Sequence, residues 1–175
     1  MTILEKIVAA KKTEIEKQKR VHNETRFRHE PLFRRSPFSL KEALSDPQKP
    51  GIIAEFKRKS PSKGLINDQL DVEKVTQGYI DGGASALSVL TDTPFFGGCG
   101  DDLRRARMAN NCPVLRKEFI IDTYQITEAK ALGADVILLI GAVLSRESLH
   151  LFTSYAHSLG MEVLYEIHHK EDLDK

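Results

Sequence analysis

The sequence predicts an α/β fold built on a parallel sheet, and three observations predict it. Five short runs rich in Val, Ile and Leu alternate with amphipathic stretches from Gly51 onward: GIIAEFK, SALSVLTD, PVLRKEFI, ADVILLIGA and MEVLYEI. Near-continuous apolar strands suit burial on both faces, as a parallel sheet covered by helices demands. The runs recur at roughly the size of a βα unit, about 30 residues. The intervening stretches end at Gly83-Ala84, Gly133-Ala134 and Gly160-Met161, where glycine tolerates the left-handed conformation that stops a helix. Periodicity alone leaves open whether the sheet closes as a barrel or stays doubly wound.

Residues 1–48 have another texture and read as an N-terminal helical extension; residues 49–175 read as the sheet domain. Thr2 and Glu5 form a capping box, each side chain satisfying a free amide of the other. Ile3, Leu4, Ile7, Val8 and Ile15 make one apolar stripe at helical spacing. Residues 20–37 have no clean period and read as a loop. Ser39 and Glu42 read as a second capping box, opening a short helix with Leu40 and Leu44 that Pro47 and Pro50 end. Further helices are expected from Asp71, over DDLRRARMA, from Asp122 and from Ser145.

Composition narrows the function classes. The chain has 175 residues, is 41% hydrophobic and carries a formal net charge of +1. That balance disfavours a dedicated nucleic-acid protein. No apolar run approaches the roughly 20 residues of a membrane span, and the charged N-terminus lacks the apolar core of a secretory signal. Cys99 and Cys112 have neither metal nor redox spacing, so a reduced, cytoplasmic setting is expected.

The chemistry concentrates at strand ends. Side chains alternate faces along a strand, so Ile53, Glu55 and Lys57 share one face of the first apolar run. Two ionisable groups on a buried strand should pair or line a polar cavity, because unpaired buried charge is costly. The segment from Arg58 to Gly64 (RKSPSKG) is a basic, hydroxyl-bearing loop directly after that strand, where α/β folds hold anionic ligands; no Walker pattern is present. Lys117 ends the third run and Glu166 the fifth. Each alone reads as an ordinary strand-end charge. Together with Glu55 and Lys57 they make an array whose acidities neighbouring charges can tune. His168 and His169 read as surface residues opening the next loop, and the basic stretch from Arg26 to Arg35 as a solvated loop.

Three stretches carry a family resemblance. Ile53-Ala54-Glu55-Phe56-Lys57-Arg58-Lys59-Ser60-Pro61-Ser62-Lys63-Gly64 resembles the signature of indole-3-glycerol-phosphate synthases. So do Leu90-Thr91-Asp92 with Phe95-Phe96-Gly97-Gly98, and Leu115-Arg116-Lys117-Glu118-Phe119-Ile120. The resemblance implies a (β/α)8 TIM barrel, here truncated after about five strands, with an N-terminal helical extension. It implies a carbon–carbon lyase of tryptophan biosynthesis that acts on 1-(2-carboxyphenylamino)-1-deoxyribulose 5-phosphate without metal or organic cofactor. Lys117 would be the general acid of ring closure. Glu166 and Lys57 would serve closure and dehydration, and Glu55 would hold the lysines. Ser60 would lie in the substrate loop, and Phe96, Phe119 and Leu138 would pack the aromatic ring. Glu118 stands where the family usually has Asp, and Cys99 where serine is common.

The same resemblance implies strand-end groups and a glycine-rich phosphate cup that these residues lack, so little activity is expected from this chain alone. The isomerase of the preceding step would need a cysteine where Glu55 and Lys57 stand. Open sheet edges tend to pair with other chains, so self-association, or a non-catalytic scaffold role, is the alternative expectation. The expected partner is a phosphorylated small molecule, not nucleic acid or membrane.

Overall fold

A computed structural model of the chain describes residues 1–175. The central sheet contains β1 (Ile53–Phe56), β4 (Ala86–Leu90), β5 (Val114–Lys117), β6 (Val136–Ile140) and β7 (Glu162–Glu166). They lie in the order β1-β4-β5-β6-β7, and every pair is parallel. The order never reverses, so the sheet is singly wound like a barrel wall and not doubly wound about a switch point. All five predicted strands form.

The crossovers are α3 (Val72–Asp81), α5 (Gly100–Ala109), α6 (Thr123–Leu132) and α7 (Arg146–Ser158). Asp71, Asp122 and Ser145 cap three of them, each side chain accepting an amide of the first turn. Gly83, Gly133 and Gly160 take positive φ at the helix exits. Two apolar cores follow from the strand alternation. The larger lies between sheet and helices and includes Phe56, Leu87, Val89, Val114, Ile137 and Leu139. The smaller lies on the inner face and joins Ala86, Leu115, Val136, Leu138 and Ile140 to Leu40 of α2 (Leu40–Ser45). Thus α2 plugs the interior from the N-terminal side of the strands.

Helix α1 (Ile3–Val21) starts with the predicted capping box: the Glu5 amide donates to Thr2 Oγ1 at 3.2 Å, and the Thr2 amide to Glu5 Oε2 at 2.7 Å. The second box is only half formed. Ser39 Oγ accepts the Glu42 amide, but the carboxylate at this helix start is Glu162 of β7, which accepts from Ser39 Oγ and from the Leu40 and Lys41 amides. A distant acid has replaced the local one, which no local pattern reveals. Residues 20–37 are more ordered than a solvated loop. Short 3-10 helices at Glu24–His29 and Pro31–Arg34 pack on α6. Arg35 pairs with Asp135, while Glu24 accepts from Thr127 and Tyr155. The basic loop after β1 holds a small hairpin, β2 (Lys59–Ser60) with β3 (Gly64–Leu65).

The Phe-Phe-Gly-Gly stretch has a steric basis. Phe96 ends the turn α4 (Thr93–Phe96), and Gly97 leaves it at φ +69°, a left-handed value. A Cβ on Gly98 would sit 2.0 Å from the Leu90 carbonyl oxygen, so only glycine fits.

Candidate active site

The inner face carries Glu55 on β1, Ser88 on β4, Lys117 on β5 and Glu166 on β7, with Lys57 one residue beyond β1. Parallel register makes these ends neighbours: Glu55 faces Ser88, and Ile140 faces Glu166. Lys57 Nζ donates to Glu55 Oε1 at 3.0 Å, and Ser88 Oγ to Glu55 Oε2 at 3.2 Å. Across β6, Lys117 Nζ donates to Glu166 Oε2 at 3.0 Å. All four ionisable side chains are 29–40% exposed, half-buried at the rim and open to a ligand. Two lysine–carboxylate pairs on one face can give and take protons without any group being stranded in an apolar interior.

Glu166 has a third partner. Its Oε1 lies 2.7 Å from His168 Nε2. Burial pushes the Glu166 carboxyl up, but the hydrogen bonds of His168 and Lys117 and the Lys117 charge outweigh it and hold the group below its ordinary value. The sequence predicts a surface position for His168. It is exposed, yet it touches this carboxylate, two residues back along the extended chain, where side chains share a face. His169 instead starts the last turn, its amide donating to Asp172.

Beside the array is a cavity of about 470 Å³ lined by Lys57, Ser60 to Lys63, Ile66, Phe96 and Phe119, with Ile3, Leu4 and Ile7 of α1 across it. The Phe96 and Phe119 rings lie 6.0 Å apart at 34°. Ser60 Oγ accepts the Lys63 amide and so shapes the hairpin tip. Leu138 does not line the cavity. It is 2% exposed on the inner face of β6, in the core against which Phe119 packs. Arg58, in the basic loop, is not free for an anion: its guanidinium grips both oxygens of Asp102 and reaches the Leu70 carbonyl. The cationic groups left facing the cavity are Lys57 and Lys63.

Cys99 precedes α5, and its thiol donates to Asp102 at 3.4 Å. Burial and the Asp102 charge raise the thiol's pKa, which makes it a poor nucleophile. The contribution of α1 to the cavity had only a weak sequence signal, since Ile3, Leu4 and Ile7 read as ordinary packing residues. No helix is long and apolar enough to cross a membrane.

Comparison with known proteins gives one family. The profile described as Indole-3-glycerol phosphate synthase matches residues 4–175. A protein of that name from Bacteroides thetaiotaomicron is 45% identical over 171 residues, covering 98% of this chain and 65% of its own. Namesakes from Neisseria meningitidis serogroup B and Bordetella pertussis are each 43% identical, covering 99% and 98% of this chain and 68% and 67% of theirs. The chain therefore spans about two thirds of the length of the curated relatives it matches, 65% of the Bacteroides protein. The singly wound parallel sheet, the paired strand-end charges and a profile that runs from residue 4 to residue 175 agree, and the chain belongs to the indole-3-glycerol phosphate synthase family.

Proposed function

We propose that the chain carries the acid–base part of an indole-3-glycerol phosphate synthase site. The reaction converts 1-(2-carboxyphenylamino)-1-deoxyribulose 5-phosphate to indole-3-glycerol phosphate, carbon dioxide and water. The observation that carries this reading is the pair of lysine–carboxylate contacts, Lys57–Glu55 and Lys117–Glu166, beside a cavity walled by Phe96 and Phe119.

In the first step the ring carbon bearing the carboxylate attacks the ketone carbon. A carbon–carbon bond forms, and the ketone oxygen takes a proton from the Lys117 ammonium, which Glu166 holds in place. Loss of carbon dioxide returns the electron pair to the ring. Departure of the new hydroxyl as water needs a proton on that oxygen and removal of one from the neighbouring carbon. Lys57 and Glu166 serve these transfers, and Glu55 orients Lys57. Aromatic rings bind between apolar walls while polar groups fix their orientation, so the benzoate ring belongs against Phe96 and Phe119 on their cavity side, facing Ile3, Leu4 and Ile7, with Leu138 in the core against which Phe119 packs and Ser60 at the loop edge. Its carboxylate belongs near Lys57. The reading uses no metal or organic cofactor. We place the protein in the cytoplasm, in keeping with two unpaired cysteines.

These 175 residues contain no glycine-rich phosphate cup facing the mouth, so they should turn substrate over slowly or not at all by themselves. Fluorescence of the indole product tests the reading. The chain is joined to the C-terminal third of the Bacteroides relative and compared with its Lys117→Ala variant. A second reading rests on β1 and β7, which are the two edge strands of the sheet: the chain pairs through them with another copy and acts as a scaffold.

A further inference from the structure

Lys11 lies on the apolar stripe of α1, four residues from both Ile7 and Ile15, and its side chain is only 2% exposed. Its Nζ lies 2.9 Å from Glu14 Oε2, 3.0 Å from Asp92 Oδ2 and 3.1 Å from Glu118 Oε1. Asp92 and Glu118 are buried as deeply, at 0% and 2%. An ammonium so buried persists only with such partners. Burial lowers its pKa, but the carboxylates of Glu118, Glu14 and Asp92 more than reverse this and raise it.

Both buried carboxylates hold parts of the cavity wall. Asp92 Oδ1 accepts the Phe95 amide at 2.8 Å, capping the turn that carries Phe96. Glu118 Oε1 accepts the Phe119 amide at 2.9 Å, and its Oε2 accepts from Thr91 Oγ1 at 2.7 Å. Glu118 also directly follows Lys117. Asp92 Oδ2 has no hydrogen-bond donor aligned on it, so its ion pair with Lys11 is its compensation. The other charged tie of α1 to the barrel wall, Lys19–Asp122, is 44% and 31% exposed, and surface pairs of this kind contribute little.

We infer that Lys11 is a positioning residue that clasps α1 across the strand ends and sets Phe96 and Phe119 opposite Ile3, Leu4 and Ile7, so that a flat aromatic acid binds between them. The ligand class rests on the proposed function; the clasp does not.

Two measurements on the full chain test it: amide hydrogen exchange of residues 3–21, and fluorescence titration with N-methylanthranilate, which has the ring and carboxylate but no phosphate. Lys11→Met should raise the probe's Kd at least about tenfold and speed exchange in α1 by a similar factor, with β4 to β6 still protected. Lys11→Arg should restore most of both. If Lys11→Met does not fold, the triple variant Lys11→Met/Asp92→Asn/Glu118→Gln removes the stranded charges and keeps acceptors for the Phe95 and Phe119 amides; α1 should still exchange fast. Unchanged α1 exchange in a folded Lys11→Met or triple variant overturns the clasp. Unchanged probe affinity with α1 released overturns the positioning role. If the wild-type chain ignores the probe while α1 exchange follows Lys11, the aromatic-acid assignment falls and the clasp stands.

Discussion

Lys117 and Glu166 meet at 3.0 Å across the width of β6, one strand removed from each. A pair at that distance exists because the strand order is monotonic, so that the ends of β5 and β7 lean toward the same interior. His168 completes it from the far side of the carboxylate.

The pH behaviour of Glu166 follows from these partners. Its carboxyl is held below its ordinary value, with burial opposing and His168 and Lys117 prevailing. A depressed folded pKa means that the pair's stabilisation is fully present above the unfolded value, near 4.3. It is lost as pH falls through the folded one. A carbon-detected NMR titration should place the Glu166 midpoint below that of an ordinary glutamate. His168→Ala should move it upward, and a midpoint above the ordinary range would contradict the geometry.

Two glycines should respond in opposite ways to alanine. At Gly98 the new methyl meets the Leu90 carbonyl oxygen at 2.0 Å, and backbone must shift. The expected destabilisation is on the order of 3 kcal/mol, the upper end for overpacking. Gly78 lies inside α3 with nothing within 4 Å of its added Cβ, so alanine there should stabilise by about 0.5–1 kcal/mol. Urea melts of both variants decide; equal midpoints would mean that the Gly98 contact is not tight.

The open edges make a third prediction. β1 and β7 each present one unpaired row of amides and carbonyls, and Ile52 and Ile167 beside them are 54% and 43% exposed. Such edges pair with other chains. Sedimentation of the isolated chain should show concentration-dependent association, weakened by Ile52→Lys. A monodisperse monomer at all concentrations would refute the edge argument.

Much of this molecule is legible in its sequence, for local reasons. The strands announce themselves by apolar runs, the crossover helices by Asp71, Asp122 and Ser145 at their starts and by glycine at their ends. The face shared by Glu55 and Lys57 follows from strand alternation alone. Most of what escaped depends on residues far apart in the chain. Glu162 caps α2 from 122 residues away. Arg58, in a loop that reads as anion-binding, is taken by Asp102. Lys11 looks like a solvated lysine, although its spacing from Ile7 and Ile15 puts it on the buried stripe. His168 looks like a surface histidine because it is one, 57% exposed, and its contact with Glu166 two residues back leaves no mark on the apolar pattern. Leu138 lies beneath the cavity, a depth that periodicity does not encode.

The most direct measurement is product fluorescence from the chain joined to the C-terminal third of a relative, with Lys117→Ala and Glu166→Gln variants alongside. Acid–base groups of this kind contribute roughly 10²–10⁴-fold. The account predicts turnover that falls by at least about a hundredfold in Lys117→Ala while affinity for N-methylanthranilate stays within about threefold. Undiminished turnover in Lys117→Ala would contradict the assignment of the strand-end pairs to ring closure.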